Sequence, residues 1–414
     1  MKSLNGAAVV AAWGALAVGV LARAQSVDRL VPDQYPTIQA AINASAQGDR
    51  VLVATGTYVE TIDFVGKGIE VRASGEPLSV TLRAPIAARA ALFRNGEGPS
   101  SVLSGIRLVG NRNPALSGGG VEVSGASPTI ENCTFEGIRS RPSAGSWGGA
   151  LDVVSGSPVV RECVFEGNYV ALDNGAGRDG GAVLIRGGTP SLQSCVFRDN
   201  PSGQGSDVFA VSSAAVDTVI SDSLFTGSSG GGFGARIYNY GQGSGAAKIN
   251  LLRCEFMAVD QNCISLVHGW DTIQFVDSRM QDCVVPDTAT LFSQHRSTLS
   301  VRGSEFASNV GGTLVNANGT QGGLVQVEQT AFCGNTPAGP AWGPRIVDLG
   351  GNTVDDSCCP ADINDDGVVN GADISVLLGY WGQSGKNVVG DITGDGIVNG
   401  ADLALLLGSW GPCQ

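Results

Sequence analysis

Lysine is almost missing from this 414-residue sequence, occurring only as Lys2, Lys67, Lys248 and Lys386. Histidine is scarcer still, and His268 and His295 are not at metal-ligand spacing. With 25 basic against 38 acidic residues the net charge is −13, which argues against nucleic acid or an anionic membrane as a partner. Beyond the first 24 residues no apolar run approaches the length that spans a bilayer. Charged residues make up only 15%, the hydrophobic share is an ordinary 43%, and there are 61 glycines. A turn-rich all-β chain with a dry interior fits those proportions, and a disordered chain does not.

What is present in quantity is a repeat. GGGVEV (118–123), GGALDV (148–153) and GGAVLI (180–185) are each followed by a second half, SPTIENCTFEG (127–137), SPVVRECVFEGN (157–168) and TPSLQSCVFRDN (189–200). Units of this length are stable only against their neighbours. Their short apolar alternations, broken by Gly, Pro and Asn, read as strands and tight turns. Each cassette is expected to form one coil of a parallel β-helix. Phe135, Phe165, Phe197, Phe225, Phe256, Phe306 and Phe332 would pile into one internal ladder, with Leu108 and Met280 on two further rungs. Two residues earlier runs a column of Cys133, Cys163, Cys195, Ser223 and Cys254. The pattern is weakest between 201 and 300.

At the start, Lys2, an apolar run from Ala7 to Leu21 and Ala22-Arg23-Ala24 read as a signal peptide over 1–24, with Gln25 as the mature N-terminus. Pro36-Thr37 is expected to open a short capping helix with Ile38, Ala41 and Ile42 on one face and Gly48 as its stop. Val51–Ala54 and Tyr58–Glu60 read as the first strands. The wording YPTIQAAI…GDRVLVATGTY resembles the N-terminal entry of the pectin-lyase-like β-helix superfamily. The GGA-[LV] and F-x-x-N halves resemble the repeats of polymorphic membrane-protein adhesins. These resemblances imply a right-handed parallel β-helix over 25–350, a fold that hosts lyases, hydrolases, esterases and adhesins alike.

Catalytic signatures of that superfamily are missing. Arg236-Ile237-Tyr238 precedes Val267-His268-Gly269, which is wrong in order and content for the polygalacturonase-like motifs. Stacking the GG cassettes points Val121, Leu151 and Val183 inward and sets Glu122 and Asp152 outside on neighbouring rungs, with Arg186 nearby. Such a pair suits a retaining glycosidase or a cation site for a uronate-rich glycan, and equally suits an exposed polar face. Trp147, Tyr238, Tyr240 and Trp270 could make a sugar-stacking platform or pack in turns.

From Asp355 onward there are nine Asp, no Glu and one Lys, which marks a separate domain over 359–414 behind a linker at 351–358. Asp362, Asn364, Asp366, Asn370 and Asp373 stand at positions 1, 3, 5, 9 and 12 of a loop, with Gly367 at 6. That is EF-hand logic, in which a hard cation takes six to eight oxygens and glycine allows the sharp turn. The wording recurs as Asp391, Thr393, Asp395, Gly396, Asn399 and Asp402. Each loop leads into an apolar helix start, ISVLLGYWG (374–382) and LALLLGSWG (403–411).

Two such units resemble a type I dockerin, in the GC-type form that ends each loop in GAD. The resemblance implies one Ca²⁺ per loop, completed by the carbonyls of Val368 and Ile397, with the second site weaker because Thr393 offers only a short hydroxyl. It also implies a cohesin-like partner, although Gly371-Ala372 and Gly400-Ala401 stand where cohesin-reading Ser/Thr residues would be. Another cell-surface receptor, or a structural cap on the β-helix end, remain as alternatives.

Ten cysteines in an exported chain are compatible with disulfides. Pairing Cys413 with Cys359, or with Cys358, would clip the tail's ends together. Cys333–Cys358 could pin the linker to the last coil, and Cys263–Cys283 is a looser pairing. Inward thiols at Cys133, Cys163, Cys195 and Cys254 suit no disulfide geometry. The sequence is thus read as an exported, calcium-binding β-helix protein, secreted or on a bacterial cell surface, that binds polysaccharide or a surface partner and is attached by its tail. A polysaccharide lyase or glycoside hydrolase, and a structural spacer, are the competing readings.

Overall fold

The computed structural model describes residues 26–413 except 87, 111–119, 141–148, 171–179, 202–204, 213–215, 228–235, 242–246, 260–263, 269–270, 294–296, 318–322, 337, 341, 343, 356–357, 365, 386–387 and 394. The expected signal peptide (1–24) lies outside the described residues, as do Trp147, Trp270, His295 and Cys263.

Among the described residues, short strands stack into three parallel sheets of 13, 12 and 10 strands, and a full coil takes one strand from each. This is a β-helix solenoid. A coil such as Thr129–Glu131, Thr134–Glu136, Leu151–Val153 visits the three sheets in turn, and each strand pairs in register with the coils above and below. Two corners per coil rest on left-handed backbone. Asn132, Glu162, Ser194, Asp222, Arg253, Asp277 and Gln329 hold φ of 49–54° between the 13- and 12-stranded sheets. Gly137, Gly167, Asp199, Gly227, Ala258, Asp282, Ser308 and Gly334 hold φ of 50–79° where the chain leaves the 12-stranded sheet. A non-glycine residue there costs about 1–2 kcal/mol, which the ladders on both sides must outweigh.

The phenylalanine ladder runs as the spacing predicts. Leu108, Phe135, Phe165, Phe197, Phe225, Phe256, Met280, Phe306 and Phe332 are register partners in succession, all fully buried. Ring centroids from Phe135 to Phe256 lie 4.4–5.0 Å apart with planes within 12°. At Met280 the stack is interrupted, and Phe275 from the neighbouring sheet leans across the gap, 6.0 Å from both Phe256 and Phe306. In the 12-stranded sheet the register through 201–300 is therefore continuous, whereas the 10-stranded sheet shifts register between Asn239 and Tyr240 and between Val285 and Ala289.

Beside the rings, Asn168 and Asn200 form a buried ladder. Asn168 Nδ2 donates to the Phe135 carbonyl (2.9 Å), and Asn200 Nδ2 donates to that of Phe165 (3.0 Å). Asn309 and Asn335 repeat the arrangement on the Met280 and Phe306 carbonyls. Cys133, Cys163, Cys195 and Cys254 are buried thiols. Burial pushes Cys195 up to about 11 and Cys254 up to about 12, so neither ionises near neutrality.

At the N-terminal end α1 (Ile38–Ala44) buries Ile38, Ala41 and Ile42 over the first coil. Thr37 caps it through its side-chain oxygen, and Glu60 accepts from the Ile38 and Gln39 amides. The helix stops at Ala44 rather than running to Gly48: Ser45 has turned to extended backbone, and Gly48, at φ +85°, serves the next turn. The first strand is Asp28–Val31, paired with Arg50–Val53 ahead of the strands expected from sequence. Asp49, nearly buried, ties this strand to the helix end by accepting from Arg29 and from the Val27 and Ala46 amides.

Candidate functional site

In the tail, α2 (Gly371–Gly379) and α3 (Gly400–Gly408) each begin at an asparagine that is also loop position 9. Asn370 Oδ1 accepts from the Ala372 amide (2.7 Å) and Asn399 Oδ1 from Ala401 (2.8 Å). The position-12 aspartates close the capping boxes: Asp373 Oδ2 accepts from the Asn370 amide and Asp402 Oδ2 from Asn399, both at 2.8 Å. Their other oxygens reach back across the loop. Asp373 Oδ1 accepts from Ile363 and Asn364, and Asp402 Oδ1 from the amide and hydroxyl of Thr393. Burial pushes both carboxyls up, but these amides outweigh it and hold them below the ordinary range.

Position 1 is fixed in the same way. Asp362 Oδ1 accepts from Asp366 (3.1 Å) and Oδ2 from Gly367 (2.7 Å), while Asp391 Oδ2 accepts from Gly396 (2.8 Å). Asp366 and Asp395 each accept from the amide at position 7. Gly367 and Gly396 turn at φ +84° and +87°, a conformation that a side chain would strain. Under the loops lies a small core of Ala361, Val369, Leu377, Val398 and Leu406. Leu378 and Trp381 on the first unit, and Leu407 and Trp410 on the second, are exposed at matching places. Cys359 is bonded to Cys413, and Cys333 to Cys358.

On the solenoid, Glu122 and Asp152 are register partners on adjacent rungs of the 10-stranded sheet. Asp152 is not on an exposed face, as the cassette stacking would have it, but fully buried. Arg186 binds it with both Nε (2.9 Å to Oδ1) and Nη2, and Arg89 Nη2 lies 2.7 Å from Oδ2. Glu122, part-exposed, is 3.8 Å from Arg89 Nε. Arg89 lies before the repeated cassettes, so no repeat pointed to it. Both Asp152 oxygens are engaged, which leaves it a fixed counter-ion holding two guanidinium groups side by side.

Following the same outward column, Leu184, Phe209 and Tyr238 replace the charges on the next rungs. They form a buried apolar cluster with Val211, and the Phe209 and Tyr238 rings stack at 5.3 Å. Tyr238 is therefore packed rather than displayed to a sugar. The side chains of Tyr240 and His268 lie outside the described residues.

Residues 360–408 match the family model described as the Dockerin type I domain. This part of the chain is a dockerin type I domain. No curated protein matches the sequence. Among solved structures the chain is similar to a tailspike protein, gp49 from Acinetobacter baumannii bacteriophage Fri1, titled a capsular polysaccharide depolymerase. The identity is 12% and the TM-score 0.38, over 80% of this chain and 62% of that one, so the chain spans under two thirds of the tailspike's length. It is similar to the catalytic domain of a GH87 α-1,3-glucanase at 12% identity and TM-score 0.43, over 80% and 69% of the two chains. It is also similar to a mannuronic acid-specific polysaccharide family 6 lyase from human gut microbiota, at 13% and 0.36, over 78% and 83%.

The dockerin loops fit a hard cation in the kind and order of their donors. Every donor at positions 1, 3, 5, 7, 9 and 12 is oxygen-bearing, namely Asp362, Asn364, Asp366, Val368, Asn370 and Asp373, then Asp391, Thr393, Asp395, Ile397, Asn399 and Asp402. Asp362, Asp373 and Asp402 are nearly or fully buried. The dockerin carries no Arg and only Lys386, so its carboxylates gain little cationic compensation from side chains. Among the described residues no three His, Cys, Asp or Glu side chains gather as a ready-made metal cluster. Completing a coordination shell would draw on the amide, hydroxyl and carbonyl oxygens as well.

Proposed function

We propose that this is an exported β-helix protein that binds polysaccharide or a cell-surface partner and is attached through a calcium-loaded dockerin. The observation that carries the reading is the pair of all-oxygen loops, each built into a capped helix start within a dockerin match. When bound, Ca²⁺ would supply the positive charge that the buried aspartates lack. Two disulfides and the leader-like start support export. The exposed Leu378, Trp381, Leu407 and Trp410 support a protein partner, cohesin-like or otherwise. No described helix is long and apolar enough to cross a membrane.

A binding role is favoured over a lyase or hydrolase at Glu122, Asp152 and Arg186 because Asp152 is buried and doubly held by arginine. Ca²⁺ titration of the full chain by calorimetry tests the anchor. Asp362→Ala is expected to remove the tighter of two sites and Asp391→Ala the weaker, since Thr393 offers the second loop only a hydroxyl. Absence of Ca²⁺ uptake sinks the reading. A screen for unsaturated uronate products and new reducing ends across acidic and neutral glycans decides between binding and cleavage. Activity abolished by Glu122→Gln would transfer the function to an enzyme.

A further inference from the structure

The two dockerin repeats are related residue by residue at a spacing of 29, yet they are closed differently. The second loop is crossed by the segment just before it. Val398 N donates to Gln383 O (3.0 Å), Gly382 N to Val398 O (2.8 Å) and Gly385 N to Gly396 O (3.0 Å). That crossing segment runs directly into the loop's own start, where the Asp391 amide donates to Val388 O (3.1 Å).

The first loop is crossed by the matching segment of the other repeat. Val368–Val369 pairs antiparallel with Gly411–Pro412, and Cys413 N donates to Gly367 O (3.0 Å). By chain, this segment reaches the first loop only through the whole second repeat. By disulfide it reaches Cys359, whose carbonyl accepts from the Asp362 amide (2.8 Å). Cys359 corresponds in the repeat to Val388, and Cys413 to Ser384. The sulfur bridge therefore stands at the first loop where continuous backbone stands at the second. Cys413 Sγ also lies 3.5 Å from Asp362 Oδ2, so the bridge packs against the position-1 carboxylate itself.

We infer that the Cys359–Cys413 disulfide is the lock of the first calcium loop, which makes Ca²⁺ affinity at Asp362–Asp373 redox-dependent and leaves that at Asp391–Asp402 untouched. The inference rests on the calcium reading of the dockerin. Reduction by a dithiol delivers two electrons and two protons, leaves thiols on Cys359 and Cys413, and converts the reductant to its own disulfide. The 411–413 segment then keeps its pairing with Val368–Val369 and the Cys413 N–Gly367 O hydrogen bond but loses its covalent tie to the first loop. The second loop loses nothing.

Calorimetric Ca²⁺ titration of the full chain separates the two loops. The pair Cys359→Ser and Cys413→Ser is introduced together into an Asp391→Ala background, where only the first loop can load, and into an Asp362→Ala background, where only the second can. Affinity is expected to fall about tenfold or more in the first background, the range for lost support of a metal ligand, and less than about twofold in the second. Equal weakening in both, or none in the first, overturns the lock. Ca²⁺ uptake in neither disulfide-intact background overturns the calcium reading, and the lock with it.

Wild-type protein provides a test that no folding defect can obscure. Linkage is reciprocal, so Ca²⁺ must favour the oxidised pair by the same factor as the disulfide favours Ca²⁺. In a dithiol redox buffer, with thiols trapped and peptides bearing Cys359 and Cys413 weighed, a tenfold factor moves the midpoint by about 30 mV for this two-electron couple. A midpoint unmoved by Ca²⁺ refutes the proposal.

Discussion

Replacing Arg236 by Met should be among the most damaging single changes available to the solenoid. Arg236 and Asp207 are both fully buried, each just ahead of a strand of the 10-stranded sheet, with Nη1 2.8 Å from Oδ2. The same guanidinium donates to the carbonyls of Thr226 and Gly227, and Asn200 Nδ2 donates to the other Asp207 oxygen (2.9 Å). Arg236→Met leaves a dry carboxylate without a cation and takes the guanidinium donor from two carbonyls, of which Thr226 O keeps only the long Asp199 amide contact (3.4 Å), a loss of about 3–5 kcal/mol. Adding Asp207→Asn removes the stranded charge, so the double variant should recover at least about 2 kcal/mol relative to the single.

The pH dependence has a definite sign. Burial pushes the Asp207 pKa up, against the pull of Arg236 and Asn200. An acid whose pKa is raised holds its proton more tightly in the fold than in the unfolded chain. Its cost is absent below the unfolded value near 3.8 and grows as pH rises through the window above it. Removing the guanidinium widens that window upward. The deficit of Arg236→Met should therefore be smallest in acid and grow as pH rises through that extended window, as read by thermal unfolding. Hydrogen exchange over Val208–Ser212 and Ile237–Gly241 should localise the loss, because a solenoid is held by nearest-neighbour contacts. A deficit independent of pH, or a double variant no better than the single, would refute the reasoning.

Phe197→Ala should cost about 3–5 kcal/mol, because the ring is fully buried between Phe165 and Phe225, and faster exchange confined to the adjacent coils would confirm it. Ala258→Gly should instead stabilise by about 0.5–1 kcal/mol in thermal melts. It relieves a left-handed φ of 51° at the price of a more flexible unfolded chain, and a lowered Tm would contradict the corner account.

Much of this fold was legible because a solenoid repeats its side chains at fixed places. A buried ring recurs once per coil, so the ladder from Phe135 to Phe332 could be followed without knowing a single turn. Phe275 escaped notice because it enters the stack from a different sheet and so breaks the ladder's own spacing. Asp28–Val31 was missed because four residues with two charges carry no apolar alternation, and its pairing with Arg50–Val53 is a long-range fact. The paired tail loops were readable because their oxygen-bearing residues and glycines recur at one fixed spacing of 29, ahead of each capped helix. Asp152 was placed on the correct rung and facing outward, yet sequence alternation cannot tell an outer face that is solvated from one that is covered. Arg89, 63 residues away, completes its burial.

The 12-stranded sheet also makes the protein a ruler. At about 4.8 Å per rung its strands span on the order of 50 Å from Gly56–Val59 to Thr353–Asp355, the latter next to the Cys333–Cys358 bond that precedes the dockerin. Position along the sequence is thereby converted into distance along the solenoid from the Cys333–Cys358 bond. Insertion or loss of one coil would shift everything N-terminal to it by a single rung, and would leave the chemistry of every other coil as it was.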